Sequence, residues 1–448
     1  MSKDIKTQEE HYKYMMETPV SRLVMSFSLP SMVATLITSI YNLTDTWFVG
    51  QISTSATAAV GVVFSINMVL LALGFWAGTG GSTLISALIG ARDYDKAHRI
   101  TSSAFWLSFA FGLLVAILSL ICGDGLLKLL GATDTILPYA RAYLLCLAIA
   151  FPFNSSTMML GQCLRAEGLS RESMIGNIIG AVVNVILDPI LIFACNLGVA
   201  GAAIATSVSQ ILGWLFLASC YFTGKTQMSL HPKYLSHDPS EYKEILTAGF
   251  PSLCRHGTNT IANIVLNQAA GGFGDAAIAA MSICARLLYA SNAVSGGLCN
   301  GCQPVIGYAY GAKKYDRVKE AFVYTVKISV GSMVVFGVIG LIFAGPLISF
   351  FRDDPDVIVF GTTAYRLIAA TLPCACYVNI CSVLYQAIKK PLLSSVINLA
   401  RQLALYIPML LFLPGLIGAL GVQLAGPIAD TIVAVVCIPL CISSFKKM

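Results

Sequence analysis

The stretch Gly90-Ala91-Arg92-Asp93-Tyr94-Asp95-Lys96 returns as Gly311-Ala312-Lys313-Lys314-Tyr315-Asp316-Arg317, 221 residues further on. Each copy closes one long apolar segment and opens the next. The same shift carries Leu29-Pro30-Ser31 onto Phe250-Pro251-Ser252, Gly50 onto Gly271, Ala58-Ala59 onto Ala279-Ala280 and Pro152 onto Pro373. Apolar letters agree cheaply by chance, but a polar G-A-[RK]-x-Y-D-[KR] string at the same place in each half does not. One gap-free duplication relates the two halves from the first apolar segment to the fourth.

Working outward, apolar segments lie near 22–49, 58–88, 99–122, 137–160, 172–195 and 198–222, and again near 245–271, 277–309, 318–345, 357–387, 392–413 and 417–443. A polar stretch at 223–243 separates the two sets. The chain has 448 residues, of which 11% are charged and 56% hydrophobic, with mean hydropathy +0.77. Soluble domains carry about a quarter charged residues, so this chain cannot cover a water-facing surface of normal size. A soluble enzyme, a disordered protein and a nucleic-acid binder are all disfavoured. At these lengths only helices satisfy their own backbone in lipid. The expected fold is an all-α polytopic membrane protein of twelve transmembrane helices in two six-helix lobes. Six helices separate the copies, an even number, so the repeat is parallel, with its pseudo-axis along the membrane normal. The expected organisation is an N-terminal segment at 1–21, an N-lobe at 22–222, a linker at 223–243 and a C-lobe at 244–448.

Basic residues orient the bundle. With the N-terminus inside, twenty of the 28 Lys and Arg face the cytoplasm, including Arg92, Lys96, Arg165, Lys233, Lys313, Lys389 and Lys446. Only Lys128, Arg141 and Arg352 face out. Both termini are therefore expected in the cytoplasm, and the bias accounts for the net charge of +6 without a polyanionic partner. Residues 1–19 are polar and do not read as a signal peptide. The fourteen cysteines sit almost entirely in apolar stretches, where they act as small hydrophobes. Cys299 and Cys302 form one C-x-x-C, with no second pair or histidine at zinc spacing. No H-E-x-x-H, G-x-S-x-G or Walker sequence points to a membrane enzyme, so none is expected, and any pumping energy must come from an ion gradient.

Three of the 22 acidic residues are embedded: Asp45, Asp188 and Asp430. An aspartate near mid-bilayer costs about 2.5–3.5 kcal/mol on insertion scales, so its default reading is functional. Tyr41 and Asp45 share a face of the first helix, beside Asn42. Asn177, Asn184 and Asp188 form one polar stripe on the fifth, and Pro189 leaves the carbonyl of Val185 without its helical donor. The sixth helix adds Thr206. Two carboxylates, an amide and a hydroxyl suit a proton or a small hard cation such as Na⁺, and two nearby carboxylates readily share a proton. The bland alternative is that such groups merely bind helices together. Five cations, Arg255, Arg286, Lys327, Arg366 and Arg401, are embedded in the second half. Lys327 and Arg366 are placed to snorkel. Arg255 with His256, Arg286 and Arg401 can line a substrate cavity or pair structurally, for example with Asp430. At the 221-residue shift Leu266 stands where Asp45 would repeat, so the acid-bearing site belongs to the N-lobe.

These residues resemble the multidrug and toxic compound extrusion (MATE) family, most like its MepA/DinF-type bacterial branch. The matching strings are L-P-S at 29–31, Y-N-L-T-D-T at 41–46, G-A-R-D-Y-D-K-A at 90–97, L-R-A-E-G at 164–168, N-x-x-x-D-P at 184–189 and G-V-A-G-A-A-I-A-T at 198–206. The resemblance implies two lobes around a central cavity, and export of amphipathic, often cationic organic compounds in exchange for Na⁺ or H⁺. It implies a cation site at Asp45, Asn184, Asp188 and Thr206, with no other cofactor, and Pro30 as a bending point of the first helix. Tyr41, Asn42, Asn177, Arg255, His256, Arg286 and Arg401 are the candidate cavity residues, and Pro189 a second hinge. The setting is a bacterial plasma membrane and the working unit a monomer, with no nucleic-acid partner. A lipid-linked saccharide flippase of the same superfamily is the alternative: its anionic substrate would want a basic cavity, which the embedded arginines keep open.

Overall fold

The computed structural model describes residues 2–52, 54–130, 132–352 and 354–446; inside its helices the side chains of 2–8, 11, 42, 43, 46, 47, 50, 54–57, 275 and 290 lie outside the described set. The side chain of Asn42, a candidate cavity residue, is therefore outside the described residues. The described residues are almost wholly helical, with no strand among them. A short amphipathic helix, α1 (Ser2–Glu17), precedes α2 (Val20–Gly50), α3 (Thr54–Gly90), α4 (Tyr94–Leu129), α5 (Leu137–Ala148), α6 (Phe151–Ala166), α7 (Ser170–Pro189) and α8 (Gly198–Phe222). Then come α9 (Pro239–Gly271), α10 (Asp275–Gly311), α11 (Tyr315–Phe351), α12 (Pro355–Ala387), α13 (Pro391–Leu399), α14 (Ile407–Ile417) and α15 (Ala419–Lys446).

Among the described residues ten single helices or helix–π–helix runs are long and apolar enough to cross a membrane, and α5 with α6, bent by 54° beside Pro152, brings the number up to eleven. The remaining expected span is α9. It is 33 residues long, but Arg255, His256 and its neighbouring Asn and Thr residues make it too polar to qualify by composition. Large apolar side chains stand exposed along α4 (Leu113, Ile117, Leu120, Ile121) and α11 (Val335, Val338, Ile342, Phe343), the surface a bilayer would cover.

The duplication is written into the backbone. After α3, Asp93 N donates to Leu88 O (2.9 Å) and Arg92 takes φ 63°; after α10, Lys314 N donates to Ala309 O (2.9 Å) and Lys313 takes φ 58°. Gly168 (φ 82°) and Lys389 (φ 57°) form the second such pair, again 221 apart. Each is a left-handed helix stop that satisfies the last carbonyls. A non-glycine residue there costs about 1–2 kcal/mol. Asp93 then caps α4 by accepting from Lys96 N (3.1 Å). Among the described residues two π-helical segments interrupt the spans, Ile190–Ala194 directly after Pro189 and Ala400–Tyr406 between α13 and α14.

The chain divides into two compact units: Met1–Thr18 with Leu29–Leu253, and Pro19–Ser28 with Cys254–Met448. Both changes of unit fall inside a helix next to a proline, Pro30 in α2 and Pro251 in α9. In the first unit, the start of α9 lies on α3 and α4. Trp76 Nε1 donates to Leu246 O (2.7 Å), and Lys96 and Arg99 pair with Glu244 (2.9 Å) and Glu241 (3.0 Å). A side chain on Gly80 would collide with the carbonyl oxygen of Ile245 and lie 3.0 Å from Gly249 N. In the second unit, a side chain on Gly301 would lie 2.5 Å from Ser28 N and 2.7 Å from its Cα. Gly80 and Gly301 are 221 residues apart, as are Ser28 and Gly249. The same close crossing is therefore built twice.

The first unit's core runs through Val63, Leu70, Leu144, Phe151 and Ala203, beneath the end of α2. The second packs Leu266, Ala280, Cys284, Ala364, Tyr365 and Ala425. All described cysteines are free thiols, and Cys299 and Cys302 are buried.

Candidate cation-binding site

Three elements of the first unit bring the N-terminal polar residues together. The helical stripe of α7 carries Asn184 and Asp188 one turn apart, and both are buried. Asn184 Nδ2 donates to Asp188 Oδ1 (3.3 Å) and to Thr206 Oγ1 of α8 (3.3 Å). Asp45, half-buried on α2, hydrogen-bonds to Asp188. Two carboxyl groups this close repel one another unless a proton or a cation lies between them. The π segment begins two residues beyond Asp188, which fits the missing amide donor of Pro189.

Sequence reasoning missed Tyr143. It is 5% exposed on α5, its hydroxyl hydrogen-bonds to that of Thr206, and it faces Asp45, Asp188 and Tyr41. A tyrosine in an apolar span is ordinary by composition; only the packing of α5 on α8 places it here. Asp45 Oδ1, Asn184 Oδ1 and Asp188 Oδ2 are buried without a protein hydrogen-bond partner among the described residues. Three orphaned oxygens in one cluster, with a hydroxyl beside them, form an acceptor-rich set that fits a proton, a water or a small hard cation. The described residues contain no group of three or more His, Cys, Asp or Glu able to hold a metal ion.

Other sequence-predicted residues lie elsewhere. Asn177 is eleven residues from Asp188 along α7, about 16 Å, and its Nδ2 donates to Ser173 O of its own helix (3.1 Å). In the second unit, Arg401 sits on the π segment. Its Nε donates to Asp430 Oδ1 (2.5 Å) and Nη1 to Asn379 Oδ1 (3.2 Å), so Arg401 and Asp430 form an ion pair. Gln402 Nε2 donates to Asn259 Oδ1 (2.5 Å). Arg255 and His256 are half-buried on α9, while Arg286 is exposed on α10. Leu266, the positional counterpart of Asp45, is buried in the second unit's core.

A duplicated all-helical membrane protein with an acid pair buried inside one repeat is a transporter by class. A family model described as MatE matches residues 30–190 and again 251–411. The chain is 30% identical over 433 residues to the multidrug export protein MepA of Staphylococcus haemolyticus, covering 95% of this chain and 94% of that one. It is 30% identical over 367 residues to MepA of Staphylococcus aureus, covering 82% and 81%. Among solved structures, the outward-facing conformation of a multidrug resistance MATE family transporter of the MOP superfamily superposes with TM-score 0.90. That match has 25% identity and covers 97% of this chain and 98% of that one. The chain belongs to the MATE family. It is a membrane transporter and not an enzyme.

Proposed function

We propose that the protein is a secondary active multidrug exporter, exchanging H⁺ or Na⁺ for amphipathic organic compounds by alternating access. The single observation that carries this reading is the cluster of Asp45, Asn184, Asp188 and Thr206, with its three orphaned oxygens. Acids inside a membrane helix are costly unless a proton, a cation or a partner neutralises them, and they mark ion pathways by default. Asp188 and Asp45 take the incoming ion between them. Asn184 orients Asp188 and Thr206 through its amide, and Tyr143 holds the Thr206 hydroxyl. Filling the cluster removes net negative charge beside the Pro189 break, so the ion shifts the access equilibrium by its different affinity for the two states. Pro30 and Pro189 are the bending points this requires, because each removes a helical hydrogen bond.

The working unit is a monomer in a bacterial plasma membrane with both termini cytoplasmic, and its N-lobe carries the coupling. Tyr41 and Asn177 then belong to the N-lobe cavity wall, and Arg255, His256, Arg286 and Arg401 to the C-lobe's. The test is substrate efflux from proteoliposomes with pH and Na⁺ gradients imposed separately. One gradient drives export in the wild type, and Asp188→Asn abolishes the coupled component. Export by Asp188→Asn at the wild-type rate overturns the assignment.

A further inference from the structure

The second unit holds a charge imbalance that the cation site does not use. Of its five embedded cations, Arg286, Lys327 and Arg366 are exposed, and Arg366 Nε donates to Leu341 O (3.2 Å). Arg255 and Arg401 are instead half-buried and brought to one place, because Asn259, one turn along α9 from Arg255, accepts from Gln402, the neighbour of Arg401. The only embedded acid of this half, Asp430, is engaged by Arg401. Among the described residues no carboxylate pairs with Arg255. Two guanidinium groups therefore face one carboxylate, leaving one positive charge uncompensated inside a membrane helix bundle.

Such a charge is costly by several kcal/mol unless a counter-ion reaches it. The surroundings are arranged as a binding wall rather than a packed core. Arg401 is pinned on both sides by Asp430 and Asn379, and Gln402 is pinned by Asn259 while its Oε1 stays without a partner. Both pinned residues sit on the Ala400–Tyr406 π segment, a local widening of the kind that recurs at functional sites. In the first repeat Gly180 stands at the position of Arg401, and Gln210 at that of Asp430, the register there being 220 as between the stops Gly198 and Gly418; neither carries a charge, so this arrangement was added to one copy only.

We propose that the cluster of Arg255, Arg401, Asp430, Asn379, Gln402 and Asn259 is a subsite for the single anionic group of an amphiphile. The ligand is an apolar body bearing a carboxylate, or a lipid bearing a phosphate, and the shared chemistry is one negative charge received by a guanidinium in a fork of two hydrogen bonds. Arg255 is the anchor, since its charge is the one left over; the Arg401–Asp430 pair is the neutral, oriented backing. The inference rests on the exporter reading for why an amphiphile reaches the site, and extends it to acidic and zwitterionic substrates.

The experiment is equilibrium binding to the full-length protein in nanodiscs of phosphatidylcholine, with no ion gradient. The probe is a fluorescent amphiphile bearing one carboxylate, against its uncharged methyl ester. The wild type is expected to prefer the acid by about tenfold or more, the size of one charge-assisted hydrogen bond. Arg255→Gln should bind acid and ester alike, and a thermal melt matching the wild type certifies its fold. Arg255→Lys should retain part of the preference, because it keeps the charge and loses the fork. Repeating the measurement with phosphatidylglycerol separates the two sources. Loss of the acid preference there assigns the site to a lipid phosphate, and its persistence to a carboxylate substrate. Equal binding of acid and ester by the wild type in phosphatidylcholine overturns the proposal, as does a preference that survives Arg255→Gln. A protein that prefers the acid but shows no gradient-driven efflux refutes the exporter reading and leaves this subsite standing.

Discussion

Replacing Gly80 by alanine adds one methyl group at the tightest helix crossing of the first unit. On an open helix face the change would gain about 0.5–1 kcal/mol from reduced backbone entropy. At Gly80 the new Cβ meets the Ile245 carbonyl oxygen well inside contact distance and lies 3.0 Å from Gly249 N. Both are backbone atoms and cannot rotate aside, so α3 and the start of α9 must part by about 1 Å; overpacking of this kind costs about 1–3 kcal/mol. Subtracting the entropic gain leaves a net loss of about 1–2 kcal/mol. Gly301→Ala should lose a similar amount, since its Cβ would press on Ser28 N and Cα at 2.5 and 2.7 Å. Gly331→Ala on α11 is the control, with nothing within 4 Å of its Cβ. Thermal melts of the purified proteins should rank Gly331→Ala at or above wild type and the other two below it. The double variant should be close to additive, because the two crossings share no partner. If Gly80→Ala melts at or above Gly331→Ala, the crossing is looser than described and the reasoning fails.

The polar sites give further outcomes. Asp45→Asn should lose coupled efflux as Asp188→Asn does, and the double variant should be little worse than either, because the two carboxyls act as one site; additive losses in a transport assay would separate them. Tyr143→Phe removes the hydroxyl that steadies Thr206. It should weaken the apparent affinity for the coupling ion by several-fold with little change in maximal rate, read from ion-dependence curves of efflux. Asp430→Asn strands Arg401 and should destabilise the protein by about 3–5 kcal/mol, whereas replacing both partners with apolar residues should cost less. Glu167, just outside α6, is buried and its carboxyl is pushed up to about 8 by burial, against the lowering effect of the Gln227 and Met228 amides. Its folded form thus holds a proton that the unfolded form, near 4.5, has released. The stabilisation is complete below pH about 4.5 and is lost as pH rises through about 8, with a ceiling of about 5 kcal/mol. Melting temperatures across that window should fall less steeply for Glu167→Gln than for wild type; parallel slopes would show that Glu167 does not titrate there.

Most of the architecture was legible because the bilayer imposes it: a span must be long, apolar and helical, and Gly90–Lys96 with its copy set the register between the halves. The start of α9 was harder. The segment 245–271 reads as apolar by eye, but Arg255, His256 and the Asn and Thr residues beside them bring it below the composition of the other spans, and Pro251 as the copy of Pro30 supports the reading. Asp45, Asn184, Asp188 and Thr206 were legible as a set because acids and amides are anomalous in apolar helices. Tyr143 was not, since its ring is at home in lipid and the hydroxyl's partner depends on tertiary packing. Glu167 reads as a loop acid, yet the linker folds back over it, with Gln227 N donating to its Oε2 (3.0 Å). The sequence left Arg401 between a cavity and a pairing with Asp430; bringing the two side chains together needed the structure, because a π segment rotates side chains away from the faces an α-helical count assigns.

The paired crossings at Gly80 and Gly301 also set a timetable for biosynthesis. Residues 19–28 leave the ribosome early, ahead of Leu29–Leu253, but belong to the second unit, where Ser28 rests against Gly301, 273 residues later in the chain. At about 5–20 residues per second that is a wait of roughly 15–55 s. The first unit is likewise incomplete until 239–253 has been made, after all of its own spans. Neither half can therefore mature as an independent block during translation. The opening segment of the first membrane helix must be kept from wrong partners until the eighth has entered the bilayer, so nascent chains arrested before Gly301 should be far more sensitive to protease near Ser28 than chains arrested after α10 is complete.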